Sequence, residues 1–250
     1  MVVDEQVGGR LASLQVSGVE LLVTESEHPL FWGCYPMAPW AGRVRNGRFS
    51  SGGRDHQLPL RMPPHAIHGT VLDREWQWTE EDALAISLGD SWPFDGDAVQ
   101  KIQLEPDRLV LELEVHSASD RFPATIGWHP WFRRRLAPNA AEVELDFTAL
   151  SMFARDDEGL PTGTRVQPSS GPWDDCFADV VKEPVLEWPG FLRLQLESSS
   201  NYWVVYDEPV GAVCVEPQTG PPDGLNLDPE FVTPGNPLRA RFVLSWSVPD

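Results

Sequence analysis

Short runs of alternating apolar and polar residues recur along this chain. Leu109-Val110-Leu111-Glu112-Leu113-Glu114-Val115 alternates with a period of two, and Leu192-Arg193-Leu194-Gln195-Leu196-Glu197 does the same. That period predicts strands with one face in a core and one in water. Tyr202-Trp203-Val204-Val205-Tyr206 and Ala212-Val213-Cys214-Val215 are apolar throughout and predict more deeply buried strands. Arg239 to Trp246 predicts a closing strand, and residues 10–16 and 20–23 around Gly18 predict a hairpin. No segment holds a helical apolar period across three turns. Prolines (24) and glycines (20) punctuate the whole length, which leaves little room for long helices. The pattern predicts an all-β fold, an antiparallel sandwich or barrel. The proline-rich stretches near residues 59–64, 217–222 and 229–237 are expected to be ordered loops.

Length and charge narrow the picture. With 250 residues and no linker, residues 1–250 are expected to form one large domain. The net charge is −19, from 38 acidic and 19 basic residues. That balance argues against nucleic acid and against an anionic membrane surface, both of which select basic patches. Three cysteines (Cys34, Cys176, Cys214) in no CxxC spacing indicate neither a disulfide framework nor a zinc knuckle. No apolar run is long enough to span a bilayer. The first residues lack the basic-then-apolar form of a signal peptide, so a cytoplasmic address is expected.

The candidate chemistry lies in a few segments. Gly127-Trp128-His129-Pro130-Trp131-Phe132 sets a histidine between aromatic rings. Aromatic walls stack on a sugar's apolar face, and an imidazole there can pass a proton near neutral pH; a buried core histidine is the alternative. Glu216, at the end of an apolar run and before Pro217, is expected at the rim of the core, half desolvated and so raised in pKa. His65 and His68 lie three apart, and on extended chain they point to opposite faces, which argues against a shared metal. Gly69 allows close backbone approach beside His68, which favours His68 as the pocket residue. Arg43 and Arg45 share a face by alternation, and one guanidinium there can hold sugar hydroxyls. Asp174 and Asp175 beside Trp173 and Phe177 can accept from vicinal hydroxyls or form an Asx-turn. There is no GxGxxG or GxxxxGK[ST] and no GxSxG elbow.

Together these segments resemble the aldose 1-epimerase (galactose mutarotase) family. The stretch P-M-x-P-W-x-x-R-V-x-x-G-x-F from Pro36 to Phe49 is similar to its N-terminal signature. Ile67-His68-Gly69, followed by Arg74, Trp76 and Trp78, looks like its first histidine motif. Trp92-Pro93-Phe94 resembles a motif that precedes two strands. Gly127 to Phe132 matches the second histidine motif, Trp173 to Phe177 the D-x-C-F sugar-binding motif, and Glu216 to Asn226 the catalytic-glutamate motif. The matches keep family order from about residue 8 to residue 246.

The resemblance implies a large antiparallel β-sandwich, the galactose mutarotase-like supersandwich, with a cleft across one face. It implies Glu216 as general base at the C1 hydroxyl, His129 as general acid at the ring oxygen and His68 assisting. Arg43 and Asp174 would hold hydroxyls, with Trp40 and Trp128 as further sugar contacts. The expected reaction interconverts the α and β anomers of a free aldohexose, with no cofactor and no metal. The expected partner is a small-molecule sugar, and the expected state a monomer or homodimer. The chain departs from the family pattern at Gly42, where asparagine is usual, and at Trp131, where tyrosine is common. A sugar-binding or sensing module without turnover is the alternative from another class. A phosphosugar epimerase would need a local basic site, for which Arg45, Arg48, Arg61 or Arg74 are available.

Overall fold

A computed structural model describes residues 1–248. Among the described residues nearly every element is a strand, and the one α-helix is the four-residue turn Gly224–Leu227. Fifteen strands join one antiparallel sheet. Its order begins Val2–Asp4, Arg10–Ser13, Cys34–Met37, Gly127–Arg133, Ala212–Gln218, Tyr202–Tyr206, Asp174–Trp188. It continues Leu192–Ser198, Leu238–Ser247, Arg108–Ser117, Gly96–Leu104, Ala83–Ser87, Gln77–Glu80. Glu144–Arg155 pairs off this path with Asp174–Trp188 and with Pro161–Val166.

The strand Asp174–Trp188 folds the sheet into a sandwich. Its first residues pair with Tyr202–Tyr206 and its last with Leu192–Ser198. Between them Asp179 takes a φ of 54°, a left-handed conformation that aspartate tolerates better than most residues. The two halves then face each other across one core. Trp128 and Trp203 from the first half approach Phe242 of the second at 5.8 and 6.1 Å between ring centroids. Leu109, Leu111, Leu113 and Val115 are wholly buried beneath them. Burial of each such side chain stabilises by about 1.5–3 kcal/mol.

The strands read from the alternation are present at Arg108–Ser117, Leu192–Ser198, Tyr202–Tyr206 and Leu238–Ser247. The N-terminal hairpin is shorter than expected. Only Gln15–Val16 and Val19–Glu20 pair, around Ser17 and Gly18, which both have positive φ, as a two-residue hairpin turn requires. Arg10–Ser13 pairs instead with Val2–Asp4 and, through Leu11, with Cys34. Residues 217–222 are not all loop, because the strand Ala212–Gln218 runs on through Pro217. No helix among the described residues is long and apolar enough to cross a membrane.

Candidate active site

Strand parity sets the site. The strands Cys34–Met37, Gly127–Arg133, Ala212–Gln218, Tyr202–Tyr206 and Asp174–Trp188 lie side by side. Gly127 opposes Gln218 and Trp131 opposes Cys214, and the same register sets His129 opposite Glu216. Tyr35 opposes His129 on the other side, and Val204 opposes Glu216 with Cys176 beyond it. One row of side chains therefore crosses the sheet as Tyr35, His129, Glu216, Val204, Cys176. Trp128, Val213 and Val215 have the opposite parity and belong to the sandwich core. Both faces of this part of the sheet are buried.

A cavity of about 250 Å³ lies over this row. His68, His129, Glu216, Gln218, Arg43 and Asp174 line it, with Trp131, Tyr206, Phe31 and Leu160 among its apolar walls. At its floor His129 Nε2 lies 3.1 Å from Glu216 Oε1, and the Gln218 amide donates to Glu216 Oε2 at 3.0 Å. Glu216 is 2% exposed, so it sits in the interior and not at the rim expected from its proline. The reason is Pro217, which stays in the strand opposite Trp203 and carries Glu216 inward. Gly127 makes room for that path, since a Cβ there would lie 2.2 Å from the Pro217 carbonyl oxygen.

Burial sets the charge state of the pair. It raises the Glu216 carboxyl well above the ordinary carboxylate range, and Asp174 adds to the shift. It lowers the His129 imidazole to about 3. Desolvation penalises the charged form of each group, so burial favours the neutral carboxyl and the neutral imidazole. The His129 ring stacks between Tyr35 at 5.0 Å and Trp131 at 5.2 Å, and meets His68 edge-on at 5.0 Å. Tyr35 is itself fixed by its hydroxyl, which donates to the Leu30 carbonyl at 3.1 Å.

His68 has φ of 54° and is followed by Gly69 at φ 80°. A Cβ on Gly69 would fall 1.9 Å from the Ala38 oxygen, so this close approach requires glycine. The turn aims the imidazole at the cavity. His68 Nδ1 accepts the Gly42 backbone N–H at 3.2 Å, which leaves Nε2–H as the donor. Burial and the neighbouring His129 push its pKa well below 6.5, so the ring is neutral. His65 is buried but does not line this cavity; its Nδ1 accepts from the Asn46 backbone.

Arg43 Nη1 meets Asp174 Oδ2 at 3.4 Å, and both are half-buried. Arg45 turns away into ion pairs with Asp156 and Glu158. Those residues belong to the hairpin whose Gly159, Leu160 and Pro161 cover the cavity. Asp174 and Asp175 lie on a strand, not in an Asx-turn. Gly42 has φ of 70°, and a Cβ there would sit 2.8 Å from Pro222 Cα. An asparagine side chain at this position would therefore displace Pro222.

The two tryptophans expected as sugar contacts are not at the cavity. Trp128 is wholly buried in the core, and its indole donates to Gln100 at 2.9 Å. Trp40 is 1% exposed beside Trp92. A strand residue adjacent to His129 must face the opposite way, so Trp131, two residues on, is the wall. Gln218 follows from the same parity counted from Glu216. Tyr35 and Arg155, which also line the cavity, come from strands that carry no such signal. Three of the residues lining the cavity carry a buried side-chain atom without a protein partner: His129 Nδ1, Trp131 Nε1 and Gln218 Oε1.

Comparison with known proteins gives a consistent picture. The sequence profile of the family described as aldose 1-epimerase matches residues 2–235. The uncharacterized Escherichia coli K12 protein YphB is 31% identical over 40% of this chain, a stretch equal to 36% of its own length. The uncharacterized protein YihR of the same organism is 27% identical over 62% of this chain and 54% of its own length. The chain thus spans about a third to a half of these curated relatives. A galactose mutarotase-like protein from Clostridium acetobutylicum shares the fold with a TM-score of 0.87 at 16% identity, over 99% of this chain and 92% of that one.

Proposed function

The chain belongs to the aldose 1-epimerase family, and from that premise we propose that it interconverts the α and β anomers of a free aldohexose. The observation that carries this reading is the buried His129–Glu216 pair, 3.1 Å apart at the floor of a closed-in cavity. The reaction needs one group to take the C1 hydroxyl proton and another to protonate the ring oxygen. Glu216 is the base and His129 the acid. As the C1–O5 bond breaks, the pair passes from carboxylate and imidazolium to carboxylic acid and imidazole, and the aldehyde is released from the ring. Rotation about C1–C2 presents the other carbonyl face, and the same steps reversed close the ring.

The pair carries one proton before and after ring opening; only its owner changes. The neutral form favoured by burial is the form that accompanies the open-chain aldehyde. Each partner contributes roughly 10² to 10⁴ in rate. His68 Nε2–H donates to an oxygen of the sugar beside His129. Gln218 fixes the Glu216 carboxylate, and its free Oε1 accepts from a hydroxyl. Arg43 and Asp174 bind vicinal hydroxyls at the mouth. Stacking of His129 between Tyr35 and Trp131 favours the imidazolium as it forms.

The site favours an uncharged sugar over a phosphosugar. Arg45 and Arg61 are already paired with carboxylates, Arg74 donates to the Ser87 and Leu88 carbonyls, and Arg48 to Gln57. The test is the optical rotation of freshly dissolved α-glucose and α-galactose with the protein and with the Glu216→Gln variant. Acceleration abolished in the variant supports the reading. No acceleration with any aldohexose, while sugars still quench tryptophan fluorescence, overturns it in favour of a binding module.

A further inference from the structure

Cys214 takes no part in this proton exchange. It lies two residues before Glu216 on the same strand, on the same face, opposite Trp131. A ring nitrogen of His129, Cys214 Sγ and a Glu216 carboxylate oxygen all lie within 4.8 Å of one another. Among the described residues this is the one group of three or more such donors so arranged. We propose that His129, Cys214 and Glu216 form a binding site for a thiophilic divalent cation, Zn²⁺ or Cd²⁺, and that its occupancy shuts down the enzyme. The shutdown rests on the reading of His129 and Glu216 as acid and base; the binding does not.

Geometry and charge both carry the assignment. Donors around one tetrahedral zinc lie about 3.3–3.8 Å apart, given bonds of about 2.0–2.3 Å. The Nε2–Oε1 separation is already 3.1 Å. From the outer limit of 4.8 Å the sulfur has to approach by at most about 1.3 Å to complete three corners, which small side-chain rotations supply. His129 and Glu216 also line the cavity, from which a water or a sugar hydroxyl can take the fourth position. A neutral imidazole, a thiolate and a carboxylate sum to −2, so a dication makes the buried cluster neutral. The imidazole–thiolate combination selects Zn²⁺ and Cd²⁺ over Mg²⁺ and Ca²⁺. Such a cation would occupy the lone pairs that move the proton, so it would compete with the sugar.

The test is a Cd²⁺ titration of the full chain followed by the thiolate-to-metal charge-transfer absorbance, with Zn²⁺ binding measured by calorimetry. One equivalent is expected to bind, with the band lost in Cys214→Ser and kept in Cys176→Ser. Glu216→Gln is expected to bind at least about 10–100-fold more weakly, the loss that even an indirect partner of a metal ligand causes. Absence of saturable 1:1 binding, or a band unchanged in Cys214→Ser, overturns the site. Thermal unfolding reports whether the serine variant folds; if it does not, an unchanged affinity in Glu216→Gln overturns the site instead. Saturating Zn²⁺ is expected to abolish mutarotation, and EDTA to restore it. Binding without any mutarotation by the metal-free protein keeps the site and overturns the function proposed above. Mutarotation that persists at saturating Zn²⁺ overturns the shutdown.

Discussion

The two halves of the sheet use strands differently. In Arg108–Ser117 and Leu238–Ser247 one face is apolar, and the other carries pairs such as Glu114 with Arg239 in water. In Gly127–Arg133 and Ala212–Gln218 nearly every residue is buried, yet His129, Glu216 and Gln218 lie among them. Burying a polar group costs stability unless a partner compensates it. The half with Arg108–Ser117 and Leu238–Ser247 is therefore built for stability. The half with Gly127–Arg133 and Ala212–Gln218 holds its titratable groups at the expense of stability, in a place where low polarity pushes the Glu216 carboxyl up and the His129 imidazole down.

The largest effect expected is that of Glu216→Gln, which should lower kcat by about 10² to 10⁴ and leave sugar affinity in place. It should also raise the thermal midpoint at neutral pH. The unfolded glutamate ionises near 4.5 while the folded one keeps its proton well above that. The folded state thus binds more protons than the unfolded state, and stability falls as pH rises above 4.5. Glutamine removes that loss, so the midpoint difference between variant and wild type should widen from pH 4.5 upward. A variant less stable than wild type at pH 7 would break the comparison.

Phe242→Ala in the other half should do the reverse. It should cost about 3–5 kcal/mol in denaturant unfolding, because it leaves a cavity between Trp128 and Trp203, and should leave kcat unchanged well below its midpoint. The pH profile of kcat/KM sharpens the distinction. Activity should persist well below pH 6.5 and fall near about 3, where His129 takes a second proton. On the alkaline side it should fall where Glu216 loses the shared one. Asp174→Asn should raise KM by about tenfold, the worth of about one good hydrogen bond to a charged group. It should also move the alkaline limb down, since Asp174 helps to raise Glu216. The smallest effect belongs to the surface: Lys182→Ala, which removes an exposed pair with Asp146, should change stability by no more than about 1 kcal/mol.

Much of the fold was legible because a half-buried strand writes its period into the chain, as in Leu109 to Val115 and Leu192 to Glu197. The long strands Glu144–Arg155 and Asp174–Trp188 were not legible. They carry exposed residues such as Leu150 and Val181, and register shifts interrupt their pairing, so no single period runs through them. At the site, His68, His129, Glu216, Arg43 and Asp174 were named from motifs, and all five line one cavity. Trp128 and Trp40, expected as sugar contacts, are buried in the core and do not line that cavity.

What the sequence alone determined is which residues could do chemistry and, through a period of two, which neighbours share a face. Sidedness is local, because each Cβ direction follows from its own backbone. Only the tertiary structure decided that His129 and Glu216 stand 3.1 Å apart and that Cys214 stands beside them. It also decided that all three are buried. Those facts depend on pairing strands that lie far apart in the chain, as Gly127 with Gln218 and Arg133 with Ala212, and on the layers that cover both faces. Desolvation, which shifts the pair's pKa values, is a property of everything packed around a group and is written at no single position.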